Sequence, residues 1–251
     1  MDRLVFILST GRTGTQFFED YINGTTDRAL CRHEPHPSRR FKFLSNMYLT
    51  GRVSGERIAR IYGRSRNKLL RKAGDRIYIE SSNFMFGCIP ALNRVYPDIR
   101  VIHIVRHPVT YVVSHLNKGF WRGHKRFFAR HVPYWLETLE LKDPRNPVEV
   151  LSARYNLVNR QIASYAGTNP YLRLTFEELF AGRNGTGPGA LNRVREFCGI
   201  DPLTEEENRR WLERPKNRSP RSHRLSGEEV AWIEQNNADL MKEYGYGGTP
   251  G

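Results

Sequence analysis

Five short apolar runs alternate with segments of helical periodicity along the chain. The runs cover residues 3–9, 28–33, 76–80, 99–106 and 171–175, and polar or helical sequence follows each of them. Continuous apolar runs of this length are typical of parallel strands that are buried on both faces. The pattern therefore predicts an α/β fold, in which helices cover both sides of a central five-stranded parallel sheet.

The first apolar run ends in a glycine-rich turn. After Leu4–Ser9 the sequence reads Thr10-Gly11-Arg12-Thr13-Gly14-Thr15-Gln16, and a helical pattern begins at Phe17. Glycine lets a backbone approach a phosphate group closely, and free N–H groups at the start of a helix point towards such an anion. The sequence predicts an anion site at residues 10–16, and an ordinary strand-to-helix connection is the alternative.

This turn differs from the loop that binds ATP with magnesium. That loop ends in Gly-Lys-Ser/Thr, in which the lysine reaches the phosphates and the hydroxyl holds the metal. Here Gly14 is followed by Thr15-Gln16, and the cation Arg12 lies inside the turn. We expect an anionic nucleotide to bind without a metal, which counts against a small-molecule kinase, the second enzyme class considered.

A second candidate anion site lies at the end of the fourth apolar run. Val101–Val105 leads to Arg106, and Ser114 follows eight residues later on a helix that Pro108 opens. An arginine at the carboxyl end of a strand and a hydroxyl on the next helix can hold a phosphate by charge-assisted hydrogen bonds. The alternative is that Arg106 pairs with a carboxylate while Ser114 faces solvent.

Together, the two motifs resemble those of the sulfotransferase family that uses 3′-phosphoadenosine 5′-phosphosulfate (PAPS). Gly11-Arg12-Thr13-Gly14-Thr15 is similar to the loop that grips the 5′-phosphosulfate, and the stretch from Arg106 to Ser114 is similar to the element that grips the 3′-phosphate. Residues 172–179 and 228–246 resemble further elements of the family, whereas 40–74 and 120–165 do not. The resemblance, closest to bacterial carbohydrate and tyrosylprotein-like branches, implies a P-loop-type fold, PAPS as co-substrate and no metal.

The resemblance also implies catalytic and nucleotide-binding residues. Glu34, at the end of the second predicted strand, matches the catalytic base proposed in several branches of the family. One alternative is that Glu34 only pairs with Arg32 or Arg39. The other is that His33 or His36 is the base. Arg12 stands where other members carry a catalytic lysine. The predicted nucleotide-binding set is Gly11, Arg12, Thr13, Gly14, Thr15, Gln16, Arg106, Ser114 and Phe176, the last of these near the adenine.

One residue that tyrosylprotein members carry is missing. They have a second lysine after the third strand, where this chain has Ile79-Glu80-Ser81-Ser82-Asn83. Ser82 or Asn83 is a candidate to replace it, by hydrogen bonding to the sulfuryl group.

The acceptor is expected to bind segments that vary within the family. We interpret the chain as one domain, 1–251, with acceptor-binding insertions at 35–74 and 120–146, and we consider closure of the basic loop 215–224 over the site. Because these segments are rich in cations and aromatic side chains, a carbohydrate, a lipid headgroup and a small natural product suit them equally.

The charge of the chain suggests a competing function, and its cysteine content suggests where in the cell the protein is located. The chain has 40 Lys and Arg against 26 Asp and Glu, a net charge of +14, which attracts polyanions. A nucleic-acid-binding protein, with the aromatic and cationic side chains near 120–135 stacking on bases, is therefore an alternative, although the motifs favour an enzyme with no nucleic-acid partner. Three cysteines without metal-site spacing and no membrane-length apolar run predict a cytoplasmic protein, with a peripheral position at the inner membrane surface as the alternative.

Overall fold

β1 (Leu4–Ser9) lies at the centre of a five-stranded sheet in the computed structural model, which describes residues 4–118, 141, 143, 145–180, 185–214 and 223–246. The other strands are β2 (Ala29–His33), β3 (Ile77–Ser82), β4 (Ile99–Val105) and β5 (Tyr171–Thr175). All neighbouring pairs are parallel, in the order β2-β3-β1-β4-β5. The predicted five-stranded parallel sheet is confirmed, and β3 continues two residues beyond its predicted end.

Helices connect the strands and cover both faces of the sheet. Within the described ranges they are α1 (Phe17–Asn23), α2 (Ser38–Leu49), α3 (Gly55–Ala73), α4 (Ile89–Leu92), α5 (Pro108–Asn117), α6 (Pro147–Ala163), α7 (Phe176–Phe180), α8 (Gly187–Cys198), α9 (Glu205–Glu213), α10 (Gly227–Asn236) and α11 (Ala238–Glu243), with a 3₁₀ turn at Ser164–Gly167. This is the three-layer arrangement that the alternation of elements predicts.

Alternate side chains of β1 enter two different cores. Leu4, Phe6 and Leu8 pack with α2, α3 and α4, whereas Val5 and Ile7 pack with α1 and α8. Successive side chains of a strand point to opposite faces, so a strand covered on both sides must be apolar at every position. This explains why the first strand is a continuous apolar run.

The segment 35–74, which we interpreted as an acceptor-binding insertion, contributes to the fold. Phe41 on α2 and Ile58 and Tyr62 on α3 are fully buried against the sheet. The segment is therefore the crossover that joins β2 to β3. A role in acceptor binding stays a prediction.

Ser226 and Glu229 fit a capping box, and the sequence after them predicts one helix through Lys242. The predicted start is confirmed, but the structure has two helices instead of one. Asn237 separates α10 from α11, with φ of −120° and ψ of 15°. Its side-chain amide donates to Ser152 Oγ at 2.7 Å and to Ile233 O at 2.8 Å. The asparagine side chain thus bonds to the backbone and to α6 at this position, which favours a turn over a continuous helix.

Candidate active site

The turn after β1 has an uncommon backbone conformation. Gly11, Arg12 and Gly14 have φ of 89°, 60° and 74°, in the left-handed region that favours glycine. A Cβ on Gly14 would lie 2.5 Å from Cε2 of Phe180, so packing excludes a side chain there as well. Arg12 adopts this conformation without being glycine, and such strain is found mainly where the surroundings enforce it, often at functional sites.

The two predicted anion motifs meet in space. Arg12 Nε donates a hydrogen bond to Ser114 Oγ at 3.1 Å, and Arg106 Nη1 donates to the carbonyl oxygen of Arg12 at 2.6 Å. The turn after β1, the end of β4 and helix α5 therefore place their polar groups at one edge of the sheet. This is the edge where open α/β sheets bind ligands.

Three buried oxygen atoms around the turn have no hydrogen-bond partner among the described residues. They are Thr10 Oγ1, Thr13 Oγ1 and Asn83 Oδ1. An unsatisfied buried polar atom costs about 1–3 kcal/mol, and proteins rarely leave such atoms unpaired without a functional reason. The turn thus offers hydroxyl groups suited to a bound oxyanion.

Phe176, predicted near the adenine, lies beside Arg106. The guanidinium carbon of Arg106 is 4.2 Å from the centroid of the Phe176 ring, a cation–π contact. The next residue, Glu177, accepts a hydrogen bond from the His107 backbone N–H at 3.2 Å and another from Tyr246 Oη at 2.7 Å. These bonds join the start of α7 to the end of β4 and to the C-terminal segment.

Glu34, the predicted base, stands directly after β2 at the same edge. Its φ is 43°, and its backbone N–H donates to Ser81 O at 2.9 Å. Arg32, one partner considered for it, instead contacts Glu19 at 3.1 Å. Glu34 is therefore held in position by the end of β3.

Burial raises the pKa of the Glu34 carboxyl group above its ordinary value. His33, the backbone N–H of Asn83, Arg39 and Arg154 lower it in turn, and burial remains the largest influence. A raised pKa makes a carboxylate a stronger base than an exposed one. The cations nearby keep the ionised form accessible.

Strand β3 links the glycine-rich turn to the end of β2. Ser81 Oγ donates to the Thr15 carbonyl oxygen at 2.7 Å and lies 3.1 Å from His33 Nδ1. The ring of His33 is therefore occupied with Ser81, which weakens its case as the base. His36, the other alternative, is exposed at the surface.

A buried ion pair holds the turn that follows Glu34. Arg66 donates to both carboxylate oxygens of Glu80 at 2.8 Å, and both side chains are fully buried. The same guanidinium donates to His36 O at 3.2 Å and to Ser38 Oγ at 2.9 Å. Because Glu80 precedes Ser81 on β3, one strand anchors both the glycine-rich turn and the segment after Glu34.

Sequence reasoning missed two cations of this site, Lys42 on α2 and Arg154 on α6. Burial, and next Arg154 and Arg39, lower the pKa of Lys42 to about 7. Burial also holds the pKa of His115 well below its ordinary value, with further contributions from Arg154, Arg12, Arg106 and Lys42. Cations from four elements thus gather around His115, and no local motif signals this because the sheet brings those elements together.

Ser82 and Asn83, considered as replacements for the missing lysine, differ in position. Ser82 Oγ accepts a hydrogen bond from the Phe84 N–H at 3.1 Å, as is usual for a turn after a strand. The side-chain nitrogen of Asn83 would lie 3.0 Å from a Cβ built on Gly11. Asn83 therefore faces the glycine-rich turn.

Other predictions fall outside the described residues. These include most of the aromatic and basic segment 120–146 and nearly all of the loop 215–224. Among the residues that are described, no group of three or more His, Cys, Asp or Glu side chains could hold a metal ion, and no helix has the length and apolarity needed to cross a membrane.

Comparisons with known proteins agree with this geometry. A family model described as "Sulfotransferase family" matches residues 5–205. A search of curated proteins found no significant match.

Solved structures with a similar fold include three sulfotransferases. The enzyme from Alicyclobacillus acidocaldarius has a TM-score of 0.59 at 14% identity, covering 98% of this chain and 96% of its own. STF9 from Mycobacterium avium has a TM-score of 0.60 at 14% identity, covering 96% and 76%. Mouse SULT7A1, solved with PAP, has a TM-score of 0.52 at 12% identity, covering 99% and 86%.

The family model covers most of the chain, including both anion motifs, Glu34 and the strands from Val5 onwards. The chain belongs to the sulfotransferase family of enzymes.

Proposed function

We propose that this chain transfers a sulfuryl group from PAPS to a hydroxyl or amine acceptor. The observation that carries the proposal is the direct contact between the two anion motifs, in which Arg12 bonds to Ser114 and Arg106 bonds to the Arg12 backbone. One molecule with two anionic ends can contact both motifs at once. PAPS has that chemistry, and PAP, its product, is bound in the mouse relative.

The residues present suit the two ends of such a nucleotide. Arg106 and Ser114 would hold the 3′-phosphate, and residues 11–16, with the hydroxyl groups of Thr10 and Thr13, would hold the 5′-phosphosulfate. Phe176 offers an aromatic face near the adenine. When bound, PAPS supplies an activated sulfuryl group, so the protein has only to position it and stabilise its charge.

Four side chains would act on the transfer itself. Glu34 would accept the proton of the acceptor, because burial raises its pKa and the end of β3 holds it at the edge of the sheet where the glycine-rich turn also lies. Arg12, Lys42 and Arg154 would stabilise negative charge on the transferred group and on the leaving phosphate. Lys42 would thus supply the ammonium group that other members carry after the third strand.

The acceptor would bind on the Glu34 side of the site. A small natural product, a carbohydrate or a lipid headgroup is compatible with the cationic surroundings of Glu34. We further propose that the enzyme works in the cytoplasm, because Cys31, Cys88 and Cys198 are all buried as free thiols.

Calorimetric titration with PAP tests the nucleotide site without knowledge of the acceptor. The wild-type chain should bind PAP, and Arg106→Gln and Ser114→Ala should weaken that binding. Arg173→Gln is a matched control, since it removes an arginine on β5 that pairs with Glu243 away from the turn. Absence of PAP binding at millimolar concentration would refute the proposal.

Sulfur-labelled PAPS tests the reaction. Incubation with a panel of carbohydrates, lipids and phenols should transfer label to at least one class. Arg12→Ala should lower the rate about a hundredfold to a thousandfold, the usual effect of removing one preorganised charge donor. Magnesium-dependent turnover of ATP without sulfuryl transfer would instead support a kinase.

A further inference from the structure

Six exposed cations, none of them a proposed catalytic group, lie along one side of α3. Their spacing of three or four residues places them within about a third of the helix circumference, and the row is roughly 22 Å long. We call this row the α3 stripe. It consists of Arg57, Arg60, Arg64, Lys68, Arg71 and Lys72.

The α3 stripe carries little compensating negative charge. None of its six side chains forms an ion pair with another described residue, whereas exposed arginines elsewhere do, such as Arg28 with Asp201 and Arg210 with Glu206. Glu56, the acidic residue at the start of α3, is engaged with Arg94. The stripe is therefore a continuous cationic surface.

A mainly apolar groove runs beside the stripe, between α3 and α4. Its volume is about 460 Å³, and the uncharged part of its lining consists of Ala59, Gly63, Ala91, Val95 and Tyr96. The paired side chains of Glu56 and Arg94, and Arg60 of the stripe, complete the lining. Val95 is 56% exposed, one of few large apolar side chains that the described surface leaves open. Cationic and apolar contacts are thus available side by side.

We propose that the α3 stripe docks the enzyme on a membrane surface that contains anionic lipids. Such a surface supplies anionic headgroups for the stripe and acyl chains for the groove. Binding would be peripheral, because Ile58 and Tyr62 on the opposite side of α3 are fully buried in the core and cannot enter the lipid. The groove favours a membrane over a nucleic acid, which has no apolar chain to place in it.

Sedimentation with lipid vesicles tests this proposal on the full chain. The protein should bind vesicles of phosphatidylcholine with one quarter phosphatidylglycerol, should not bind phosphatidylcholine alone, and should dissociate as salt is raised. Replacing Arg60, Arg64, Lys68 and Arg71 with glutamine should weaken binding about a hundredfold or more, since each cation near an anionic surface contributes several-fold.

A control variant separates the effect of the α3 stripe on vesicle binding from the effect of net charge. It replaces four exposed arginines outside α3, namely Arg28, Arg160, Arg209 and Arg210, with glutamine, and it should keep most of the vesicle binding. An equal loss in both variants would overturn the proposal, as would binding to neutral vesicles or no binding. Tighter, stripe-dependent binding of a single-stranded oligonucleotide at the same salt would also overturn it. Circular dichroism checks that both variants fold, and PAP affinity should stay unchanged in both.

Discussion

At the scale of single residues, Glu34 and Lys42 have pKa values that their surroundings shift towards neutrality. Burial is the largest cause of both shifts. It raises the pKa of the Glu34 carboxyl group and lowers the pKa of the Lys42 ammonium group. Perturbed groups of this kind cluster at catalytic sites. Arg39 and Arg154 influence both side chains, which places the carboxylate and the ammonium group in one electrostatic environment.

Replacing Glu34 tests the proposed base. Glu34→Gln should lower the rate of sulfuryl transfer by about a hundredfold to ten-thousandfold, the usual contribution of a general base, while PAP affinity changes little. In the wild type, only the ionised carboxylate accepts a proton, so the rate should rise as pH increases through the raised pKa of Glu34. Single-turnover assays with labelled donor measure both effects. Unchanged turnover in Glu34→Gln, with the exposed Glu205→Gln as control, would remove Glu34 from the mechanism.

We expect Lys42 to make donor binding depend on pH. Its pKa of about 7 leaves the side chain partly neutral near neutral pH, and a bound anion favours the charged form. PAPS binding should therefore take up protons at pH 7.5 and weaken as pH rises from 7 to 9. Calorimetry in buffers of different ionisation enthalpy measures the uptake.

Two comparisons isolate this effect of Lys42. Lys42→Met should abolish most of the proton uptake, and PAP, which lacks the sulfuryl group, should cause less uptake than PAPS. The neighbouring His115 should not contribute, since its pKa lies well below its ordinary value and the ring is already neutral. Equal uptake in wild type and Lys42→Met would show that Lys42 does not face the bound anion.

At the scale of elements, β3 and α3 cooperate to hold the segment after Glu34. Tyr62 and Tyr78 donate to the Glu80 carboxylate at 3.4 and 3.3 Å, in addition to the two bonds from Arg66. The buried carboxylate thus accepts four hydrogen bonds from protein side chains. This network ties the β2-to-β3 crossover to the middle of the sheet.

Breaking the buried pair should destabilise the fold strongly. Arg66→Met leaves the Glu80 carboxylate buried without its cation, at a cost of about 3–5 kcal/mol in the free energy of unfolding. Arg173→Met removes a partly exposed pair with Glu243 and should cost about 1 kcal/mol or less. Urea denaturation compares the two, and the double variant Arg66→Met/Glu80→Met should recover part of the loss. Equal costs for the two single variants would contradict the role given to this network.

At the scale of the whole molecule, the proposed nucleotide site joins β1, β4, α5 and α7, so a bound nucleotide should stabilise the fold as a unit. At a PAP concentration one hundred times Kd, linkage predicts about 2.7 kcal/mol of added stability. For a chain of this size that corresponds to an increase in Tm of roughly 5–10 °C. Differential scanning fluorimetry measures the shift, and ATP with magnesium should produce less. No shift with PAP would contradict a site built from several elements.

The sequence predicted the sheet and the two motifs that meet at the proposed donor side, and it missed Lys42 and Arg154. The donor side consists of strand ends and the turns after them, where Gly11, Gly14 and Arg106 form compact local motifs. Lys42 and Arg154 lie on helices whose packing against the sheet decides where their side chains point, and no spacing along the chain reveals that. The break at Asn237 was missed because its cause is a contact with Ser152 on a distant helix.

In the strand order β2-β3-β1-β4-β5, the central strand β1 lies between two groups of proposed functional residues. Groups proposed to grip the nucleotide come from β1 and the strands on one side of it, while Glu34 and Lys42 come from β2 and the crossover on the other side. A lineage that keeps Lys42 can therefore change the rest of the crossover to accept new compounds without disturbing the half that would bind the sulfate donor. Diversification of substrate range within such a scaffold should be concentrated in residues 35–73, with Glu34 and Lys42 retained.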